Sequence, residues 1–113
     1  MDRVLSLLGL AKKAGKVRDG SFAVEESVKK GKALLVVAAL DVSGSSGKKL
    51  KDMCRFYGVS LLFYATKESL GAALGKEYRA AAAVEDQGFA DLIKEAVQKS
   101  RDTDGTTLGR QEE

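Results

Sequence analysis

The residues in this chain whose types and spacing suit chemistry are cations in turns and one glycine-serine turn. Gly20-Ser21 stands directly ahead of Phe22 and opens a helix-like stretch that ends at Lys29-Lys30-Gly31. A glycine there lets the backbone approach a ligand closely. Lys12, Lys13, Lys16 and Arg18 cluster around the end of the first helical stretch and the strand that follows it. Lys76 and Arg79 flank the turn after Gly75. Cationic loops gathered at one end of a fold make a phosphate-binding rim, which would suit a polyanion. Glu25 and Glu26, just after the Gly20 turn, are awkwardly placed for that chemistry.

Other chemistries are narrowed by what the sequence lacks. It has no histidine, which removes Ser-His triads and His-bearing metal sites, and its single cysteine cannot build a thiolate-rich zinc site or an internal disulfide. No cofactor or metal is expected, and Cys54 reads as a small core residue. The stretch Ser43-Gly44-Ser45-Ser46-Gly47-Lys48 looks superficially like a phosphate-binding loop. Its glycines are too close together and Lys49, not Ser or Thr, follows Lys48, so nucleotide hydrolysis is not expected. Free N–H groups at that helix start, with Lys48, Lys49 and Lys51, could still hold a phosphate; the plainer reading is a serine-capped loop. Asp41, or Glu85 with Asp86, are the candidate carboxylates for a small enzyme, and loop capping is the simpler account of them. The chain is expected to be non-catalytic.

These residues must be positioned by one small domain. The chain has 113 residues, 44% hydrophobic and 31% charged, enough apolar material for one core. Its formal charge is +3; residues 101–113 contribute a net −2, leaving a body of +5 and an acidic tail. A mildly basic body fits nucleic-acid contact. No apolar run approaches the roughly 20 residues that span a bilayer, and no signal-peptide pattern opens the chain; a cytoplasmic protein without membrane contact is expected.

Apolar periodicity predicts alternating helices and strands. Val4, Leu7, Leu8 and Ala11 make a helical stripe. Lys16-Val17-Arg18 reads as a short strand, and Asp19 or Ser21 can cap a second helix with Val24, Ser27, Val28 and Gly31 on its inner face. Ala33–Ala39 and Val59–Tyr64 read as strands buried on both faces. Leu50, Met53, Cys54 and Tyr57 mark a helix between them. Thr66 caps a short helix carrying Leu70, Ala73 and Leu74; the alanine-rich 79–84 stretch is placed as a strand by its position; Phe89, Leu92, Ile93, Ala96 and Val97 mark the last helix. The expected fold is α/β, a three-layer α-β-α sandwich with a small central four-stranded mixed sheet. It spans residues 1–99, followed by a flexible acidic tail over 100–113.

The motifs "LLGLAKKAGKVRDG", "KKGKALLVVAALDVS", "KKLKDMCRFYGVSLLFYATKESLGAALGKEYR" and "AVEDQGFADLI" follow one another with a telling order and spacing. Together, over about residues 3–97, they resemble the kink-turn RNA-binding family of ribosomal proteins, the L-seven-Ae and L-thirty-e type, in its bacterial YlxQ-like branch. The resemblance implies a compact α-β-α sandwich that binds sharply bent RNA. In the family an asparagine, a glutamate and a lysine at the start of the second helix grip sheared guanine–adenine pairs; Phe22, Ala23 and Glu26 stand at those positions here. Lys67 matches a lysine that helps hold an extruded nucleotide, and Arg79 an arginine in the loop after Gly75, allowing one inserted residue. Lys76 and Tyr78 beside it could add a phosphate contact and a stacking face. Gly20 and Ser21 keep the docking turn, and Lys29 lies one turn beyond Glu26.

Two functions follow as expectations. One is a ribosome-associated protein that binds structured, kink-turn-like RNA with altered specificity, in company with ribosomal or translation-related proteins. The other is a protein-interaction module on the same scaffold, with Phe22 as an exposed apolar anchor.

Overall fold

The computed structural model describes residues 2–105. Helices and strands alternate as α1 (Arg3–Lys13), β1 (Val17–Asp19), α2 (Ser21–Lys29), β2 (Leu35–Ala38), α3 (Gly44–Tyr57), β3 (Ser60–Phe63), α4 (Lys67–Ala73), β4 (Ala81–Val84) and α5 (Gln87–Gly105). The strands form one mixed sheet in the order β1-β4-β2-β3. β4 runs antiparallel to β1 and β2, while β3 runs parallel to β2. That parallel pair needs a crossover, and α3 supplies it.

The three layers follow from the two-residue period of the interior strands. Leu35 and Val37 of β2, with Ala82 and Val84 of β4, pack on Leu7, Leu8, Leu70, Ile93 and Val97 of α1, α4 and α5. The alternate residues, Val36 and Ala38 with Ala81 and Ala83, pack on Val24, Val28 and Cys54 of α2 and α3. β4 is interior and covered on both faces, so its alanines let both helical layers close onto the sheet. Each fully buried aliphatic side chain contributes about 1.5–3 kcal/mol, and Leu8, Leu35, Leu70 and Ile93 all reach that state. Side-chain oxygens start four helices: Asp2 Oδ1 accepts from Leu5 N, Ser43 Oγ from Ser46 N, Thr66 Oγ1 from Ser69 N and Asp86 Oδ2 from Phe89 N.

Several local expectations are corrected. β3 is an edge strand with Ser60 exposed and Leu61, Leu62 and Phe63 half-buried, not a strand buried on both faces. Neither Asp19 nor Ser21 caps α2; its N-cap is Gly20, which makes no side-chain cap bond. Gly31 and Tyr57 are exposed rather than on inner faces. α5 continues to Gly105, beyond the boundary expected near residue 100; the remainder of the expected tail, 106–113, lies outside the described residues.

Candidate nucleic-acid interface

Sheet register decides which loops meet. Asp19 lies opposite Ala82, and Ala38 lies opposite both Ala81 and Phe63. The ends of β1, β2 and β3 and the start of β4 therefore share one end of the sheet. The Gly20–Phe22 turn, the Ala39–Ser43 loop, the Tyr64–Lys67 turn and the Tyr78–Ala80 segment all emerge there.

Backbone hydrogen bonds stitch these segments together. Arg79 N donates to Lys67 O at 3.1 Å, Ala39 N to Ala80 O at 2.8 Å, and Leu40 N to Ala65 O at 2.8 Å. Lys67 N donates to Asp41 Oδ1 at 2.8 Å, which adds a capping carboxylate to the start of α4. Ala65 stands in the left-handed region with φ of 62°, a conformation that costs a non-glycine residue about 1–2 kcal/mol. Strain of this kind tends to collect at functional sites. Gly20 has φ of 96°, which only glycine adopts without penalty, so the lead-in to α2 depends on it.

Gly71 sets the height of the Tyr78–Arg79 loop over α4. A Cβ there would lie 2.7 Å from Glu77 O and 2.8 Å from Tyr78 Cα, both backbone atoms that cannot swing aside. The Leu70-Gly71…Gly75 motif thus has a physical meaning: Gly71 lets the loop cross the helix at contact distance.

Asp19 ties the cations to this frame. Its side chain is only 4% exposed and accepts from Lys12 Nζ and from Arg79 Nε, both at 2.6 Å. Burial pushes the Asp19 carboxyl up, but the hydrogen bonds and charges of Lys12 and Arg79 outweigh it and hold the pKa below its ordinary value. Arg79 also donates through Nη1 to Tyr78 O at 3.0 Å. Nε is committed inward, so other guanidinium N–H groups remain for a ligand. The segments at this end of the sheet also carry three exposed apolar or aromatic side chains: Phe22 at 79%, Leu40 at 66% and Tyr78 at 58%.

The sequence-predicted residues divide as follows. Gly20, Ser21, Phe22, Lys67, Tyr78 and Arg79 come together at this end, and exposed Lys76 follows α4 into the same loop. Lys29 does not join them. It lies about 12 Å along α2 from Ser21, where its ammonium meets Glu25 at 2.6 Å. Glu26 is held by Arg18 at 3.1 Å and Lys30 at 3.4 Å, and Arg18 and then Lys30 lower its pKa, so its charge is locally offset. Lys16 sits at the opposite end of β1.

The other candidates have structural partners. Glu85 accepts from buried Ser27 at 2.6 Å, and Asp86 accepts from Phe89 N at 2.9 Å at the start of α5. At α3, Lys48 is turned to Asp52 at 2.8 Å and Lys51 lies 5.5 Å from the Phe63 ring centroid. Cys54 is buried, and burial raises its thiol pKa. Among the described residues no group of three His, Cys, Asp or Glu could hold a metal ion, and no helix is long and apolar enough to cross a membrane. Sequence reasoning missed Asp19 as the clamp and Leu40 and Asp41 as part of this end. Only the position of Asp19 immediately before the Gly20 turn hinted at it.

Comparison with known proteins gives the same outline. The chain is 40% identical over 87 residues to RNA-binding protein YlxQ of Bacillus subtilis, covering 77% of this chain and 87% of that protein. It is 34% identical over 95 residues to the large ribosomal subunit protein eL8 of Cenarchaeum symbiosum, covering 83% and 75%. A solved structure of a protein with unknown function from Bacillus halodurans matches with a TM-score of 0.83 at 32% identity, over 87% of this chain and 99% of that one. The Giardia lamblia 15.5kD RNA binding protein shares the fold, with a TM-score of 0.69 at 24% identity over 84% and 82%. Residues 2–94 match the family described as ribosomal protein L7Ae/L30e/S12e/Gadd45, and the chain belongs to that family.

Proposed function

We propose that this chain is a non-catalytic, cytoplasmic RNA-binding protein whose sheet end docks a structured, sharply bent RNA of the ribosome or its assembly. The observation that carries this reading is the convergence of the Gly20 turn with Lys67, Tyr78 and Arg79, joined by the Arg79 N to Lys67 O bond. Relatives named as an RNA-binding protein and a large-subunit ribosomal protein support it. Lys67, Lys76 and Arg79 meet phosphates, the Gly20-Ser21 backbone comes close to the RNA, and Tyr78 and Phe22 offer faces to extruded bases. Base reading differs from that of kink-turn binders, because Phe22, Ala23 and Glu26 replace the asparagine, glutamate and lysine that the family resemblance leads one to expect.

The test is a salt titration of RNA affinity for the parent and for a Lys67→Ala, Arg79→Ala double variant. Loss of two phosphate contacts should weaken binding about tenfold or more and make the log–log salt slope shallower by about two. Equal affinity and slope would sink this site.

The exposure of Phe22 favours a second reading, in which the same turn anchors a protein. That reading predicts a partner whose recovery survives nuclease treatment and is lost on Phe22→Ala, with no saturable RNA binding.

A further inference from the structure

A groove between α2 and α3 leads away from the sheet end, and we infer that it takes a single-stranded stretch of the same RNA, with bases stacked on Phe56 and Tyr57. This rests on the RNA-binding reading above and extends it to a second surface. The near lobe, about 130 Å3, is lined by Ser21, Ser46 and Ala80, so it opens where the proposed docking turn lies. It shares Glu25, Lys49 and Met53 with a wider lobe of about 630 Å3 that ends at Phe56 and Tyr57. From Ser46 to Tyr57 the helix rises about 16 Å, enough for four or five nucleotides at the ~3.4 Å stacked spacing.

The chemistry of the groove fits an unpaired polynucleotide. Phe56 is 80% exposed on the last turn of α3, and its ring meets Tyr57 edge-to-face with centroids 4.9 Å apart. Base faces are free to stack on such a pair only where the strand is unpaired. Lys29, Lys48 and Lys49 line the same groove. Within α2 and α3 cations outnumber acids five to three, so the two helices that wall the groove carry a net positive charge. The lysines now rest on Glu25 and Asp52 in exposed pairs, at 2.6 Å for Lys29, 3.7 Å for Lys49 and 2.8 Å for Lys48. Exposed pairs of this kind are weak, so a phosphate can take a lysine over. Lysine is depleted from the cores of protein–protein interfaces, which argues against a protein as the occupant.

The experiment is ultraviolet crosslinking of the full chain to total cellular RNA, with the nucleotide-bearing peptides mapped. Adducts on Tyr78 or Phe22 together with adducts on Phe56 or Tyr57 are the expected result. Adducts at the sheet end alone overturn the groove and leave the proposed function standing. Adducts at neither place overturn both, and a protein crosslinked at Phe56 without nucleotide assigns the groove to protein docking instead. A Phe56→Ala, Tyr57→Ala variant with parental thermal stability supplies a second measurement. It should lose roughly tenfold in affinity for a stem-loop RNA with a five-uridine tail, and nothing for the untailed stem-loop. Lys67→Ala with Arg79→Ala should weaken both RNAs. Unchanged affinity of the aromatic variant for the tailed RNA overturns the inference.

Discussion

Asp19 concentrates several roles in one side chain. It ends β1, precedes the turn that needs glycine, and holds Lys12 from α1 and Arg79 from the loop before β4. Its depressed pKa makes it a stabilising group at neutral pH. The sign follows from linkage: a carboxyl with its folded pKa below the unfolded value adds stability above the unfolded value and loses it as pH falls through the folded one. The stability contributed by Asp19 should therefore begin to fade as pH drops to about 3.8 and be lost below that. Asp19→Asn keeps the shape but removes the charge. Both cations can still reach water, so the cost at pH 7 should be about 1–2 kcal/mol rather than that of a fully buried pair. Urea unfolding at pH 7 and at pH 3 checks this: the difference between variant and parent should shrink at the lower pH. An equal difference at both pH values would mean that ionisation of Asp19 is not linked to stability, and the charge would not be what Asp19 supplies.

At the scale of elements, α4 and the loop that crosses it form a matched pair. Gly71→Ala should force the Glu77–Tyr78 backbone outward, because the contacts are with backbone rather than a movable side chain. A destabilisation of about 1–3 kcal/mol is expected, along with weaker RNA binding as Tyr78 and Arg79 shift. Gly9→Ala is the control, with a milder 3.2 Å approach to Ala73 O and no part in the rim. Chemical denaturation of both variants, with RNA titration, separates the two effects. The order of elements was legible in the sequence because period and caps are local signals: Thr66 caps as expected, and the serine cap expected in the loop before α3 is Ser43. The edge position of β3 was not, because its apolar residues match those of a buried strand and only strand order distinguishes them. Asp19 was misread as a cap because its partner Arg79 lies far along the chain. The meeting of Lys67 with Arg79 was legible through the family resemblance; Leu40 and Asp41 carried no comparable signal. The reach of α5 to Gly105 was hidden because its last turns lie beyond the apolar stripe.

Across the whole molecule, the scaffold and the side chains on the first turn of α2 are separable. Phe22, Ala23 and Glu26 belong to neither core cluster. Phe22 is exposed, Ala23 half-buried, and Glu26 engaged only in surface ion pairs with Arg18 and Lys30. The fold therefore does not depend on them, while under the proposed docking the recognition chemistry of the first turn of α2 would. Replacing them together as Phe22→Asn, Ala23→Glu and Glu26→Lys should leave stability within about 1 kcal/mol, the scale of surface changes and exposed ion pairs. The same variant should gain affinity for a kink-turn hairpin by about tenfold or more, because carboxamide, carboxylate and ammonium groups can pair with base edges and phosphate where a phenyl ring, a methyl group and a carboxylate cannot. Binding assays on a kink-turn hairpin and on a straight stem of equal length read the result. A gain confined to the kink-turn means that this surface still presents α2 to bent RNA and that specificity was changed by a few exposed residues. No gain in a variant with intact stability would place the first turn of α2 away from the RNA, and the proposed docking geometry would then have to be abandoned even if the protein binds RNA elsewhere.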